Sequence, residues 1–91
     1  VFKRTSSSQA KAQAAANRGG ASYITSTITL QKKSSGSYKK VTSASKTVYD
    51  DQINHIKYFS IASSGTYRIK VTIKYKEGSL IRSNTYYKSM N

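Results

Sequence analysis

The sequence predicts an all-β chain, an antiparallel sandwich or small barrel of about five to seven short strands. Three observations predict it. Threonine, tyrosine, valine and isoleucine, which fit a pleated and half-buried surface, dominate from residue 21 to the end. Turn signals built from glycine and small polar residues recur roughly every ten to fifteen residues along that part. No helical stretch long enough for a βαβ crossover separates the apolar segments, which excludes a parallel α/β sheet.

Residues 1–20 differ from the rest. "SSSQAKAQAAANRGG" reads as a flexible arm or a short helix: Ser6 and Gln9 match a capping box, and Gly19 stands where a helix would stop. Its apolar residues are alanines, which bury little, and an isolated helix of about eleven residues is marginal in water. The expected organisation is therefore an N-terminal arm, residues 1–20, hinged at Gly19-Gly20 to a β domain, residues 21–91.

Within that domain, "SYITSTITLQ" places Ile24, Ser26, Ile28 and Leu30 on one face and Thr25, Thr27 and Thr29 on the other. "KKSSGS" (32–37) is a turn. "SYKKVTSASKTVY" is a weaker strand, interrupted by serine and alanine, and "DDQ" ends it. "INHIKYFSIA" carries Ile53, Phe59 and Ile61 on one parity and Ile56 and Tyr58 on the other, a change that predicts a bulge or a late start to the strand. "SSGTYRIKVTIKYKEGS" holds the strongest strand, with Tyr67, Ile69, Val71, Ile73 and Tyr75 inward and Arg68, Lys70, Thr72, Lys74 and Lys76 outward. "KEGS" turns it into a hairpin with "LIRSNTYYK". In Tyr86-Tyr87 the rings should point to opposite faces, one into the core and one outward.

Ninety-one residues suffice for one small domain with a modest core. Sixteen lysines and arginines face three acidic residues, giving a net charge of +13. Such a charge points to an anionic environment: nucleic acid, an acidic cell-wall polymer or a lipid surface. There is no cysteine, which excludes a disulfide framework and a thiolate metal site. No apolar run approaches the ~20 residues of a membrane-spanning helix. A start at Val1 rather than Met is expected of a processed chain.

Two segments, "LQKKSSGSYKKVTSASKTV" and "YFSIASSGTYRIKVTIKYKEGS", resemble small secreted, cysteine-free proteins of Gram-positive, clostridial-type bacteria. The shared pattern is a "LQK" strand, a Ser/Gly turn, an aromatic-Lys-x-Val strand, a "SKT" step and then "GTYR-x-K" with a basic strand, over roughly residues 21–88. Tyr38 stands where tryptophan is frequent in that family. The resemblance implies an immunoglobulin-like β-sandwich and a secreted or cell-surface location, and it transfers no catalytic residues. "SSGTY" is also similar to the entry of a late immunoglobulin strand, which would make Tyr67 a corner residue tying its hydroxyl to backbone. The aspartate usual before the glycine is replaced by Ser63.

Catalytic chemistry finds little footing. His55 is the single histidine, with Asp50 and Asp51 shortly before it, but neither a nucleophile elbow nor a glycine-rich oxyanion loop accompanies it. His55 is expected at the surface or at a strand edge. Asp50, Asp51 and Glu77 are too few and too scattered for a metal site, and no phosphate loop or RRM-type aromatic pattern occurs. The expectation is no enzyme, no cofactor and no metal.

The basic residues form two groups. Arg68, Lys70, Lys74 and Lys76 make a comb on one strand face, about 7 Å apart at each two-residue step. Lys32, Lys33, Lys39 and Lys40 flank a single turn. Either group can hold phosphates as point charges, although lysine on an exposed strand also guards against edge-to-edge aggregation. The function expected is a secreted, non-enzymatic surface protein that associates electrostatically with anionic cell-surface polymers such as teichoic acid. Two alternatives are a cationic bacteriocin-like or toxin-like protein acting on a membrane surface, and a nucleic-acid-binding module.

Overall fold

Alternation of apolar and polar residues runs through nearly the whole chain in the computed structural model, which describes residues 1–90. Seven strands result: β1 (Phe2–Ser6), β2 (Gln9–Asn17), β3 (Ala21–Ser34), β4 (Ser37–Val48), β5 (Gln52–Ser60), β6 (Tyr67–Glu77) and β7 (Leu80–Ser89). All neighbours pair antiparallel, in a three-stranded sheet ordered β1-β2-β5 and a four-stranded sheet ordered β4-β3-β6-β7. This is a β-sandwich. Its strand order is that of an immunoglobulin-type domain in which the fourth strand sits beside the third rather than beside the fifth.

The core lies between the sheets. From the four-stranded sheet it takes Ile24, Ile28, Leu30, Tyr67, Ile69, Val71 and Ile73, the residues whose parity marked them for burial. From the three-stranded sheet it takes Phe2, Ala10, Ala12, Ala14, Ile53 and Phe59. Large side chains on β3 and β6 thus meet a column of alanines on the central strand β2. Sheets pack about 10 Å apart, and small residues on one face leave room for large ones on the other.

The N-terminal arm is corrected by this arrangement: residues 1–17 are neither disordered nor helical but two core strands, and Phe2 is fully buried. Alanine's helix propensity is worth only a few tenths of a kcal/mol per residue over its competitors. The inward positions Ala10, Ala12, Ala14 and Ala16 recur with a period of two, and pairing on both sides outweighs that preference. Gly19-Gly20 is accordingly no hinge to a separate arm. It belongs to the turn carrying the chain from one sheet to the other, where the Arg18 amide donates to the Asp51 carbonyl at 2.7 Å.

Two other expectations change. The pairing of β5 with β2 runs unbroken from Gln52 to Ser60, so there is neither the expected bulge nor a late start to the strand. Ile53, His55 and Phe59 point inward, while Ile56 and Tyr58 lie on the solvent face. On β7, Tyr86 and Tyr87 are both about half exposed, because this edge strand has no sheet neighbour beyond it and overhangs the narrower opposite sheet.

The turns follow their chemistry. Ser35 and Gly36 form the two-residue β3–β4 loop with φ of 53° and 84°, the pair of positive values that a type I′ hairpin requires. Ahead of β6, Gly65 has φ 124°, and a Cβ there would stand 2.9 Å from Lys32 Cε. Tyr67 behaves as a corner residue: its hydroxyl oxygen accepts a 2.9 Å bond from the Ala62 amide.

Candidate polyanion-binding face

Strand β6 crosses the four-stranded sheet as an interior strand, so its outward residues lie on a broad face and not at an edge. Arg68, Lys70, Thr72, Lys74 and Lys76 occupy that face, opposite the buried Tyr67, Ile69, Val71 and Ile73. From Arg68 to Lys76 the row is about 26 Å long, at roughly 3.3 Å per residue. Its neighbours are hydroxyl-bearing residues in register. Lys70 lies between Thr29 on β3 and Tyr87 on β7, and Lys74 between Thr25 and Ser83. Cross-strand hydroxyl pairs hold the face together: Thr25 with Thr47 at 2.8 Å, Thr27 with Ser45 at 2.9 Å and Thr72 with Thr85 at 3.3 Å.

The four lysines around the β3–β4 turn do not form one cluster. Lys32 pairs with Lys39 and with Tyr67, which places both lysines on the side of the sheet that faces inward. The Lys32 ammonium lies 5.7 Å from the centre of the Tyr67 ring, so it is committed to a cation–π contact. Lys40 pairs with Gln31, which pairs with Arg68, and Lys33 pairs with Tyr38. These two lysines share the outer face with the comb. Six of the eight expected residues are therefore brought together: Lys33, Lys40, Arg68, Lys70, Lys74 and Lys76.

A bulge decides which lysine of β4 joins the outer face. Leu30 pairs with Thr42 and Gln31 with Lys40, leaving Val41 as the extra residue of β4. One inserted residue reverses which side chains face outward. Past Val41 the outward positions become Lys40 and Tyr38, and Tyr38 thereby reaches the middle of the sheet. There the Arg68 guanidinium carbon lies 4.0 Å from the centre of the Tyr38 ring and 4.3 Å from that of Tyr87. Arg68 Nε donates to Gln31 Oε1 at 2.7 Å. Sequence parity alone assigns Arg68 to this face but does not announce the stack, because Tyr38 and Tyr87 come from strands that do not touch.

The charge is polarised along the molecule. Asp50 and Asp51 lie in the β4–β5 turn and Glu77 at the end of β6, all at the end away from the Ser35-Gly36 hairpin. Among the described residues, no aspartate or glutamate lies in the half of the outer face around Arg68, Lys40 and Lys33.

His55 lies on an edge strand, β5, one of its two expected placements, but it is not at the surface: it is only 5% exposed, on the inner face of that strand. Its Nδ1 lies 2.9 Å from Ser26 Oγ, which is itself fully buried. The two polar side chains face each other across the core and satisfy one another. Ser26 sits in the middle of an inward apolar row, and that was the available signal that a partner exists across the sandwich. Burial, with the Lys46 and Lys57 ammonium groups as smaller contributors, holds the imidazole below its ordinary pKa of 6.5. Lys46 also bonds the Asn54 carbonyl at 2.9 Å, joining the edges of the two sheets. Among the described residues there is no grouping of three metal-binding side chains, and no helix is long and apolar enough to cross a membrane.

Comparison of the chain with protein-family models, with curated proteins and with solved structures found no match.

Proposed function

We propose that this chain is a secreted, non-enzymatic binding protein whose four-stranded sheet carries an anionic cell-surface polymer, of the phosphodiester type found in teichoic acid, along its outer face. The observation that carries the reading is the row Arg68, Lys70, Lys74 and Lys76, extended by Lys40 and Lys33, on a face whose other side chains are mainly hydroxyls and tyrosine rings, with Gln31 and Ile81 among them. An extended polyanion can lie over ~26 Å of such a surface without entering a pocket. The resemblance to secreted proteins of Gram-positive bacteria supports the choice of a cell-surface ligand over an intracellular one. The membrane-active alternative loses ground because the alanine-rich segment it needed is packed inside the sandwich.

The test is a salt titration of binding to fluorescein-labelled, lipid-free teichoic acid, followed by anisotropy. Six contacted charges predict a slope of log K against log salt of about −4, on the scale measured for single-stranded polyanions. Lys70→Ala combined with Lys74→Ala should reduce the steepness by about 1.4. Absence of binding at low salt, or a slope the double variant leaves unchanged, overturns the reading.

A further inference from the structure

The six cations on the outer face are not equivalent, and the difference has chemical content. Lys40 and Lys74 are exposed ammonium groups on flexible stems, attracted to an anion without a preferred orientation. Arg68 is held differently. Its guanidinium is stacked between two rings, at 4.0 and 4.3 Å, and its Nε is fixed by Gln31 at 2.7 Å. Three contacts from three strands restrain one side chain. The two Nη groups, by contrast, have no hydrogen-bond partner among the described residues.

We propose that Arg68 is a preset oxyanion subsite: its two Nη groups take the two non-bridging oxygens of one phosphodiester of the polymer, with Tyr38, Tyr87 and Gln31 as positioning residues. This rests on the polyanion reading above and specifies where on the face an anion is oriented as well as attracted.

The chemistry follows from the geometry. A guanidinium offers N–H pairs in a rigid fork that matches two oxygens of a phosphate, and such paired charge-assisted bonds exceed a single ammonium contact. An arginine free in solvent must give up rotamer freedom to form them. In Arg68 the stack and the Gln31 bond have already restricted it. The two rings also shield the guanidinium faces from water, which directs a ligand to the free edge. Lys70, Lys40 and Lys33 then hold neighbouring phosphates as a less oriented flank. A guanidinium serving only to fasten Tyr38 to Tyr87 would predict a change in stability on replacement and no specific change in affinity.

The test uses a substitution that keeps the charge. Arg68→Lys retains +1 at this position but removes the fork and the planar stack. Binding would be measured by anisotropy with two phosphodiester probes carrying equal numbers of phosphates, labelled lipid-free teichoic acid and labelled single-stranded oligothymidylate. Arg68→Lys should weaken teichoic acid binding about tenfold while leaving the salt slope unchanged, since the number of displaced counter-ions is the same. Gln31→Ala, which keeps both rings and removes only the Nε acceptor, should weaken it about threefold. Thermal melts of each variant separate a loss of affinity from a loss of folding.

Affinities of both variants within twofold of the parent, with the domain folded, overturn the subsite while leaving the electrostatic reading intact. If the parent protein binds neither probe, the electrostatic reading fails first, and the two failures are distinguishable. An equal loss on teichoic acid and on oligothymidylate supports a subsite that reads the phosphodiester alone. A loss confined to teichoic acid supports one that also reads the linking unit.

Discussion

Lowering the pH should destabilise this domain through one residue, and the effect can be worked out from the position of His55. The imidazole is buried beside Ser26, and desolvation first, then Lys46 and Lys57, hold its pKa below 6.5 in the folded chain. An unfolded chain titrates near 6.5. Between the two values the unfolded state binds a proton that the folded state refuses, so stability is complete above 6.5 and falls as the pH drops through the window. The loss is at most about 1.4 kcal/mol for each pH unit by which the two values differ, and it levels off once the folded state also protonates. In a domain of this size about 1 kcal/mol moves the melting temperature by roughly 4–8 °C. Urea unfolding from neutral pH down to about 5 would measure it in the parent and in His55→Gln. As His55 is the only histidine, the difference between the two curves isolates it. That difference should persist at high salt, because salt screens the exposed lysines but leaves the cost of burying charge in place. Parallel curves for the two proteins refute the reasoning.

Two further expectations concern the sandwich itself. Ala12→Leu places three additional carbons in a fully buried position between the sheets and should cost about 1–3 kcal/mol, whereas Ala15→Thr on the solvent face of the same strand should be neutral or slightly stabilising. Comparable melting temperatures for the two would contradict the strand assignment of residues 9–17. Tyr67→Phe removes the acceptor of the Ala62 amide and should cost about 1 kcal/mol with the ring still packed, read by urea denaturation.

Most of the core was legible because it needs only a period of two. Ile24, Ile28 and Leu30 on β3, and the inward row from Tyr67 to Ile73 on β6, follow from alternation within a single segment. The β6–β7 hairpin and the Tyr67 corner follow from local turn chemistry in the same way. The N-terminal strands were not legible for a related reason. Alanine at 14, 15 and 16 occupies both parities, and alternation disappears when inward and outward residues are the same type. Lys11 and Gln13 between alanines preserve the pattern at the start of β2. That signal competes with a capping-box match and with helix propensity, and only the sheet on either side decides the contest.

The outer face depends on register between strands as well as on the period within one. Its comb was visible because β6 supplies it from one continuous run. The stack on Arg68 depends on register between strands far apart in the chain, and on one extra residue in β4. Were β3 and β4 paired without Val41 as a bulge, Lys39 would face outward with Val41, and Tyr38 would turn to the opposite side. The guanidinium would lose one of its two rings while the composition, the net charge and the alternation of β6 stayed the same. The distinction between a face that only attracts anions and one that orients them therefore lies in a single unpaired residue of the β3–β4 hairpin, Val41, whose own side chain stands half exposed.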